Sequence, residues 1–533
     1  MNVTDSVWMD KVSPLSFPSY SGDMWVDVAV VGGGISGLTA ALLLKQQGLT
    51  VALLEKSTIG TGESGHTTAH ITEVIDTGYK ALISKFGETG ARKAAQSSRD
   101  AIKRIHSWVK QYRIDCAFQQ VPAYVYSEDA GEADGLREEM ESMRKAGVEA
   151  EIANDVPPEF RAKAAIKVPE QAQFQPYKYF IALSRLIAGD GCHIFENTKV
   201  TDVHDGRPCE VITEHGRLRC GNVIVTTHTP FNNRVFLHTK LANYRTYAIA
   251  ARWPDGRPLN GLYWDTADPY HYIRSQTLTE EQGGGEVIIV GGEDHKVGTK
   301  ENTEECFEKL ETFTRERFGI EKFEWCWSGQ ILEPVDGLPF IGLNSLSEHV
   351  YVATGYTGNG MTFGTFAGIL LSDLVLGREN NFTDLYDATR IKPFAGAYEF
   401  VSQNLDVAKH YISDWLSRGE VDSLQEIPAG HGNLVTVNGT KVAMYRDDAG
   451  ELHAFSPVCT HLGCQVHWNS AEKSWDCPCH GSRFTCKGEV ANGPATTGLQ
   501  PINLDKLRKG EKKEAEREAR ATPSAEDLAG GSA

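Results

Sequence analysis

WVDVAVVGGGISGLTAALLLKQQGLTVALLEK, Trp25 to Lys56, runs from an apolar segment through a glycine cluster into a second apolar segment. The β-branched run Val26 to Val31 predicts a buried strand, the apolar stretch from about Ile35 to Gln47 a helix, and the next run a second strand ending at Glu55. Gly32, Gly34 and Gly37 form GxGxxG between that strand and that helix, and Glu55 follows Gly37 by 18 residues. Such glycines let backbone approach a pyrophosphate at a helix N-terminus, while the carboxylate accepts from a ribose hydroxyl. A glycine turn kept for packing alone is the competing explanation, and a dinucleotide site fits the whole context better.

Outward from that turn, a chain of 533 residues is too long for one ordinary core, so two or three domains are expected. Its 71 acidic and 53 basic side chains give a formal charge of −18, which argues against nucleic acid or an anionic membrane as partner. The opening MNVTDSVWMDKVSPL has no basic segment leading into an apolar core, and the apolar run Val28 to Leu44 is broken by glycines. A cytoplasmic protein without a membrane span is therefore expected. Five of the 11 cysteines fall between Cys459 and Cys486, which points to metal or redox chemistry before a disulfide framework.

Strand-like runs recur at Gly221 to Thr227, Glu286 to Val290 and His349 to Thr354, with a helical run at Phe366 to Leu376. This predicts a multidomain chain: an α/β nucleotide-binding domain of Rossmann-like character interleaved with an α+β substrate domain, then a small all-β domain. The all-β texture starts near residue 425, where Asn438-Gly439 and Ala449-Gly450 suit hairpin connections. The expected boundaries are an N-terminal extension over 1–25, the interleaved domains over 26–390, a linker over 391–424, the all-β domain over 425–505 and a charged, disordered tail over 506–533.

The runs TGESGHTTAHI (Thr61 to Ile71), WSGQILEPVDGLPFIG (Trp327 to Gly342) and GYTGNGMTFGTFAG (Gly355 to Gly368) resemble the D-amino-acid oxidase-like flavoproteins. That family includes glycine oxidase, sarcosine oxidase and dimethylglycine dehydrogenase. The resemblance implies FAD. It places Ile35, Ser36 and Lys56 with the glycines and Glu55 at the nucleotide, together with Ser64, Thr67, Thr68, Val200 and Thr226. It also sets Gly355, Gly358, Asn359, Gly360, Met361 and Thr362 in a late turn that opens a helix facing the flavin ring. His66 stands where some relatives attach the flavin covalently; a hydrogen bond near the cofactor is the alternative. Arg274 is a candidate for a substrate carboxylate, with a surface or salt-bridged arginine as the alternative, and Tyr272, His295 and Gln330 are candidates for the substrate face. His228 is expected to support a strand end.

In CTHLGCQVHWNSAEKSWDCPCHGS, Cys459 to Ser482, Cys459 and His461 form CxH, and Cys477 and His480 form CxxH after 15 intervening residues. Two thiolates on one iron and two imidazoles on the other are the ligands of a Rieske [2Fe–2S] centre. Two cysteines and two histidines also suit closed tetrahedral zinc. The flanking residues resemble the cytochrome bc-type Rieske proteins, which favours the cluster and implies a disulfide between Cys464 and Cys479, with two free thiols as the alternative. The same resemblance gives Ser482 a hydrogen bond to a cluster sulfide and leaves Phe484 where a tyrosine hydroxyl is expected.

Together these features resemble FAD-dependent oxidoreductases with a C-terminal Rieske domain. The expected activity is oxidation of a C–N bond of an amine or amino acid, with electrons passing through the cluster to a protein or other one-electron acceptor. A dehydrogenase is favoured over an oxidase. Two alternatives are a cluster-fed flavin reductase or monooxygenase, and a non-enzymatic redox sensor.

Overall fold

In a computed structural model of the chain, residues 3–232, 237–253, 257–300, 302–390, 427–437 and 439–504 are described. The chain divides into two compact units, Met1–Lys296 with Thr303–Asn404, and Val297–Asn302 with Leu405–Ala533. The expected linker over 391–424 and tail over 506–533 lie outside the described residues.

The first unit contains two sheets. One carries the expected βαβ opening: strand Gly22–Val31, helix Ile35–Gln46 and strand Val51–Leu54. Its strand begins at Gly22 rather than Val26 because Gly22 to Trp25 pair with Gly216 to Arg219. Backbone pairing thus carries the strand past the end of its apolar run. Strands Val350–Thr354, Gly216–Val225, Gly22–Val31 and Val51–Leu54 lie parallel and adjacent. Their carboxyl ends set the level at which a nucleotide sits in such sheets.

Among the described residues the second sheet has nine strands, and the chain visits it between visits to the first, as the interleaved reading requires. Strands Trp325–Pro334, Leu241–Arg252, Glu286–Lys296 and His271–Thr277 run antiparallel in that order. Helix Glu304–Phe318 covers one face: Phe307 meets Tyr247, and Phe313 stacks on His271 at 3.9 Å. Side chains alternate along a strand, so Tyr272 and Arg274 point to the opposite face.

The N-terminal stretch is no separate extension. Trp8 is fully buried, its Nε1 donates to Thr67 O (2.6 Å), and Ser6 Oγ donates to Gly65 O (2.6 Å). These bonds tie residues 6–8 to the segment Gly65–Thr67.

In the second unit, strands Gly432–Val437, Thr440–Arg446 and Leu452–Phe455 form one antiparallel sheet. Strands His467–Asn469, Ser474–Asp476, Arg483–Thr485 and Val490–Asn492 form another. The first hairpin turns at Gly439 (φ 73°), with Asn438 outside the described residues, and the second at Gly450 (φ 86°). Trp475, Phe484 and Leu434 lie in the core, and buried Arg483 pairs with Asp476 and Glu472 at 3.0 Å each. Among the described residues no helix is long and apolar enough to cross a membrane.

Candidate functional site

Close approach makes the nucleotide turn glycine-only. A Cβ on Gly37 would sit 2.0 Å from Gly32 O, and one on Gly32 (φ 107°) 2.6 Å from Thr226 O. Gly34 precedes the helix, Ile35 N–H donates to Ser64 Oγ (3.1 Å), and Ser36 Oγ shares a hydrogen bond with Tyr356 OH (2.9 Å). Glu55 directly follows the second strand and accepts from Gly33 N–H (2.8 Å) and Ser57 N–H (2.9 Å). Burial raises its carboxyl, and those two bonds oppose the rise. Thr226 Oγ1 donates to Val31 O (3.1 Å), Val200 is buried at a strand start, and Lys56 is exposed. The bare backbone at the helix start and the carboxylate beside it fit a dinucleotide.

The late turn is tied to the segment 72–76. Gly358 N–H donates to Asp76 Oδ2 (2.6 Å), Asn359 Nδ2 to Val74 O (2.8 Å), and Thr362 Oγ1 to Thr72 O (3.1 Å). Gly355 takes φ 77°, and helix Gly360–Val375 begins there with Met361 buried. In the segment before it, His66 Nδ1 lies 3.0 Å from Gly62 O, Thr67 Oγ1 accepts from Ala69 N–H (2.9 Å), and Thr68 Oγ1 bonds His70 Nδ1 (3.0 Å).

The substrate-face candidates separate. Tyr272 OH shares a 2.6 Å hydrogen bond with Thr246 Oγ1 on the face away from the covering helix. His295 lies against the covered face instead: its ring stacks on Tyr247, and Nε2 is 3.0 Å from Tyr247 OH. Arg274 is fully buried; it donates to Thr68 O, Ala69 O and Phe174 O at 3.0–3.2 Å and to Gln276, and it lies over Trp8. Its bonds to backbone carbonyls fit an anchor for the Thr68–Ala69 segment better than the substrate-carboxylate role expected of it. Gln330 is buried, with Nε2 3.3 Å from Asn243 Oδ1, and His228 O accepts from Thr354 Oγ1 (2.6 Å).

Residue patterns alone did not single out His70, Asp76, Asp294 or Glu333. Their chemistry arises from neighbours distant in sequence. Burial, then the charge of Arg274, lowers the His70 imidazole to about 3, so the ring is neutral at ordinary pH.

In the second unit, two six-residue loops close in the same way. Cys459 N–H donates to Cys464 O (2.8 Å) and Gly463 N–H to Cys459 O (3.0 Å); Cys477 N–H donates to Ser482 O (2.8 Å) and Gly481 N–H to Cys477 O (3.0 Å). A disulfide joins Cys464 to Cys479 across the loops. Cys477 Sγ lies within 4.8 Å of both disulfide sulfurs, which are bonded to each other and so do not serve as ligands. Cys459 and Cys477 are buried free thiols. A hydrogen bond from Cys477 pulls Cys459 down to about 7 against burial, helped by the His461 N–H and the Ser482 hydroxyl. His461 and His480 meet edge to face at 5.0 Å. Burial, then His461, lowers His480 to about 4, leaving the neutral imidazole that ligation needs. The donor set of two thiols and two imidazoles on paired loops fits a [2Fe–2S] cluster.

A nucleotide cradle in one unit and a thiol–imidazole pair of loops in the other define the class, a flavin oxidoreductase joined to an iron–sulfur domain. The profile described as FAD dependent oxidoreductase matches residues 27–374, and that of the Rieske [2Fe-2S] domain matches residues 417–503. The chain belongs to the FAD-dependent oxidoreductase family of D-amino-acid oxidase type and carries a C-terminal Rieske domain; its cofactors are FAD and a [2Fe–2S] cluster. It is 34% identical over 504 residues to YhfW of Bacillus subtilis (strain 168), covering 94% of this chain and 98% of that one. Gamma-glutamylputrescine oxidoreductase of Escherichia coli (strain K12) is 25% identical over 409 residues, covering 73% of this chain and 91% of that one. Glycine oxidase from Geobacillus kaustophilus shares the fold with a TM-score of 0.58 at 20% identity, covering 69% of this chain and 99% of that one.

Proposed function

We propose that the protein is a dehydrogenase that oxidises a carbon–nitrogen bond of an amine or amino acid at the flavin and passes the electrons through the Rieske domain to an external one-electron acceptor. The observation that carries this reading is the presence of both sites in one chain, the nucleotide cradle at Gly32–Gly37 and the paired loops at Cys459–Cys464 and Cys477–Ser482. When bound, FAD accepts a hydride, and the cluster transfers single electrons. The names of the relatives, gamma-glutamylputrescine oxidoreductase and glycine oxidase, support nitrogenous substrates. In this account Glu55 holds the ribose and the Asp76–Gly358 bond fixes the late turn. Arg274 holds the segment Thr68–Ala69 in place. Loss of a hydride and a proton converts the substrate to an imine, which water hydrolyses.

The test uses the full chain with and without His461→Ala, mixed anaerobically with a panel of amines and amino acids. The expected result is that a panel member bleaches the flavin in both proteins, while turnover with a one-electron acceptor is lost in the variant. Loss of bleaching with FAD still bound would mean that electrons enter through the cluster, as the reductase or monooxygenase reading requires.

A further inference from the structure

Helix Gly360–Val375 starts at the same edge of the parallel sheet as the nucleotide turn. It follows strand Val350–Thr354 as helix Ile35–Gln46 follows strand Gly22–Val31, and both strands lie parallel to Gly216–Val225, which separates them. The two helices touch: a Cβ on Gly364 would lie 2.5 Å from the Ile35 side chain, and Ser36 Oγ bonds Tyr356 OH (2.9 Å). The side chain of the later helix's N-cap residue, Asn359, makes no capping bond. Its amide bonds the segment 72–76 instead, accepting from Asp76 N–H (3.0 Å) and donating to Val74 O (2.8 Å). In the first turn, Thr362 Oγ1 accepts from Thr72 N–H and donates to Thr72 O, at 3.1 Å each.

The segment that holds this helix start is itself held by one amide. Gln171, on strand Ala164–Gln173, is buried. Its Oε1 accepts from Thr72 Oγ1 (2.9 Å) and Glu73 N–H (2.7 Å), and its Nε2 donates to Pro169 O (2.7 Å) and Glu73 Oε1 (3.3 Å). Both acceptor and both donor positions of the amide are therefore filled. Glu73 Oε2 accepts in turn from Arg99 Nη2 (2.8 Å), and Glu73 O from Tyr79 OH (2.6 Å). Thr72, Glu73 and Thr362 are buried as well. Each such bond adds only about 0.5–1.5 kcal/mol of net stability. A fully satisfied buried network does more to fix a single arrangement of the groups it joins.

We propose that Gln171 is a positioning residue for the flavin: through Thr72 and Thr362 it sets the first turn of helix Gly360–Val375, so that this helix start favours the reduced cofactor. The contacts run from the Gln171 amide to the Thr72 hydroxyl, and from the Thr72 backbone to the Thr362 hydroxyl. FAD held at Gly32–Gly37 extends along the sheet edge that this helix shares. N–H groups that Asn359 leaves uncapped, at the positive end of the helix, favour negative charge there. Reduction brings electrons to the flavin, so such groups raise its potential. The inference goes beyond the carbon–nitrogen reading and does not depend on it, because it concerns the cofactor whichever donor reduces it.

The test is a redox titration of the FAD-loaded, full-length protein against a reference dye, with dithionite as reductant. Flavin absorbance gives one potential, and EPR of the cluster gives a second as an internal control. Gln171→Leu keeps the bulk of the side chain and removes its hydrogen bonds; Thr72→Val removes the hydroxyl alone, and Thr72→Ser keeps it. Flavin reduction is expected to be about tenfold less favourable in Gln171→Leu, about 30 mV lower for a two-electron couple. The potential should fall in Thr72→Val too, fall less in Thr72→Ser, and stay unchanged at the cluster. A merely structural role would lower the thermal midpoint and leave the potential of the bound flavin where it was. An unchanged or raised flavin potential in FAD-bound Gln171→Leu or Thr72→Val, or equal falls in Thr72→Val and Thr72→Ser, overturns the proposal. If Gln171→Leu does not retain FAD, the Thr72 pair decides by the same criteria.

Discussion

Phe484 is fully buried on strand Arg483–Thr485, opposite Trp475 and two residues beyond Ser482, whose hydroxyl reaches Cys459. Hydrogen bonds to a cluster's sulfurs stabilise its reduced form, and a phenylalanine contributes none. Phe484→Tyr is expected to raise the reduction potential in an EPR-monitored redox titration; an unchanged potential in a folded variant would mean that the hydroxyl does not reach the sulfurs. At this scale the candidate ligands could be singled out in sequence because CxH and CxxH place each donor within a few residues of its partner on one loop. His70, Asp294 and Glu333 were not legible. Each is an ordinary polar residue locally, and it acquires its environment only from segments brought together by the sheet. His295 shows the converse: its residue type suggested a site, but the covered face of the strand holds it against Tyr247.

Among the elements, the βαβ opening was readable because its apolar period and glycine punctuation agree, and helix Ile35–Gln46 ends within a residue of the expected Gln47. The N-terminal stretch was not readable, because the apolar run Val7–Met9 is too short to show a helix or strand period and the burial of Trp8 depends on Thr67, Gln175 and Arg274. Removing a fully buried tryptophan costs about 3–5 kcal/mol. Trp8→Ala is therefore expected to release FAD at lower urea than the unaltered protein, followed by flavin fluorescence, since the segment Gly65–Ala69 loses its anchor. An unchanged release midpoint would show that the N-terminal stretch contributes nothing to the cofactor unit.

On the scale of the whole molecule, two textures of sequence correspond to two units, one of mixed α/β runs and one of short strands and turns. The substrate was not legible, because it depends on a surface assembled from separate strands and loops. In the proposed reaction, substrate electrons arriving at the flavin leave through the cluster. The most direct measurement is low-temperature EPR of the oxidised holoprotein, frozen at intervals after anaerobic mixing with an amine that bleaches the flavin. The low-average-g signal of a reduced Rieske centre is expected to grow as the flavin bleaches, and to be absent in His461→Ala although bleaching persists. Bleaching of the flavin in the unaltered protein with the cluster left oxidised, while dithionite still reduces it, would contradict the account.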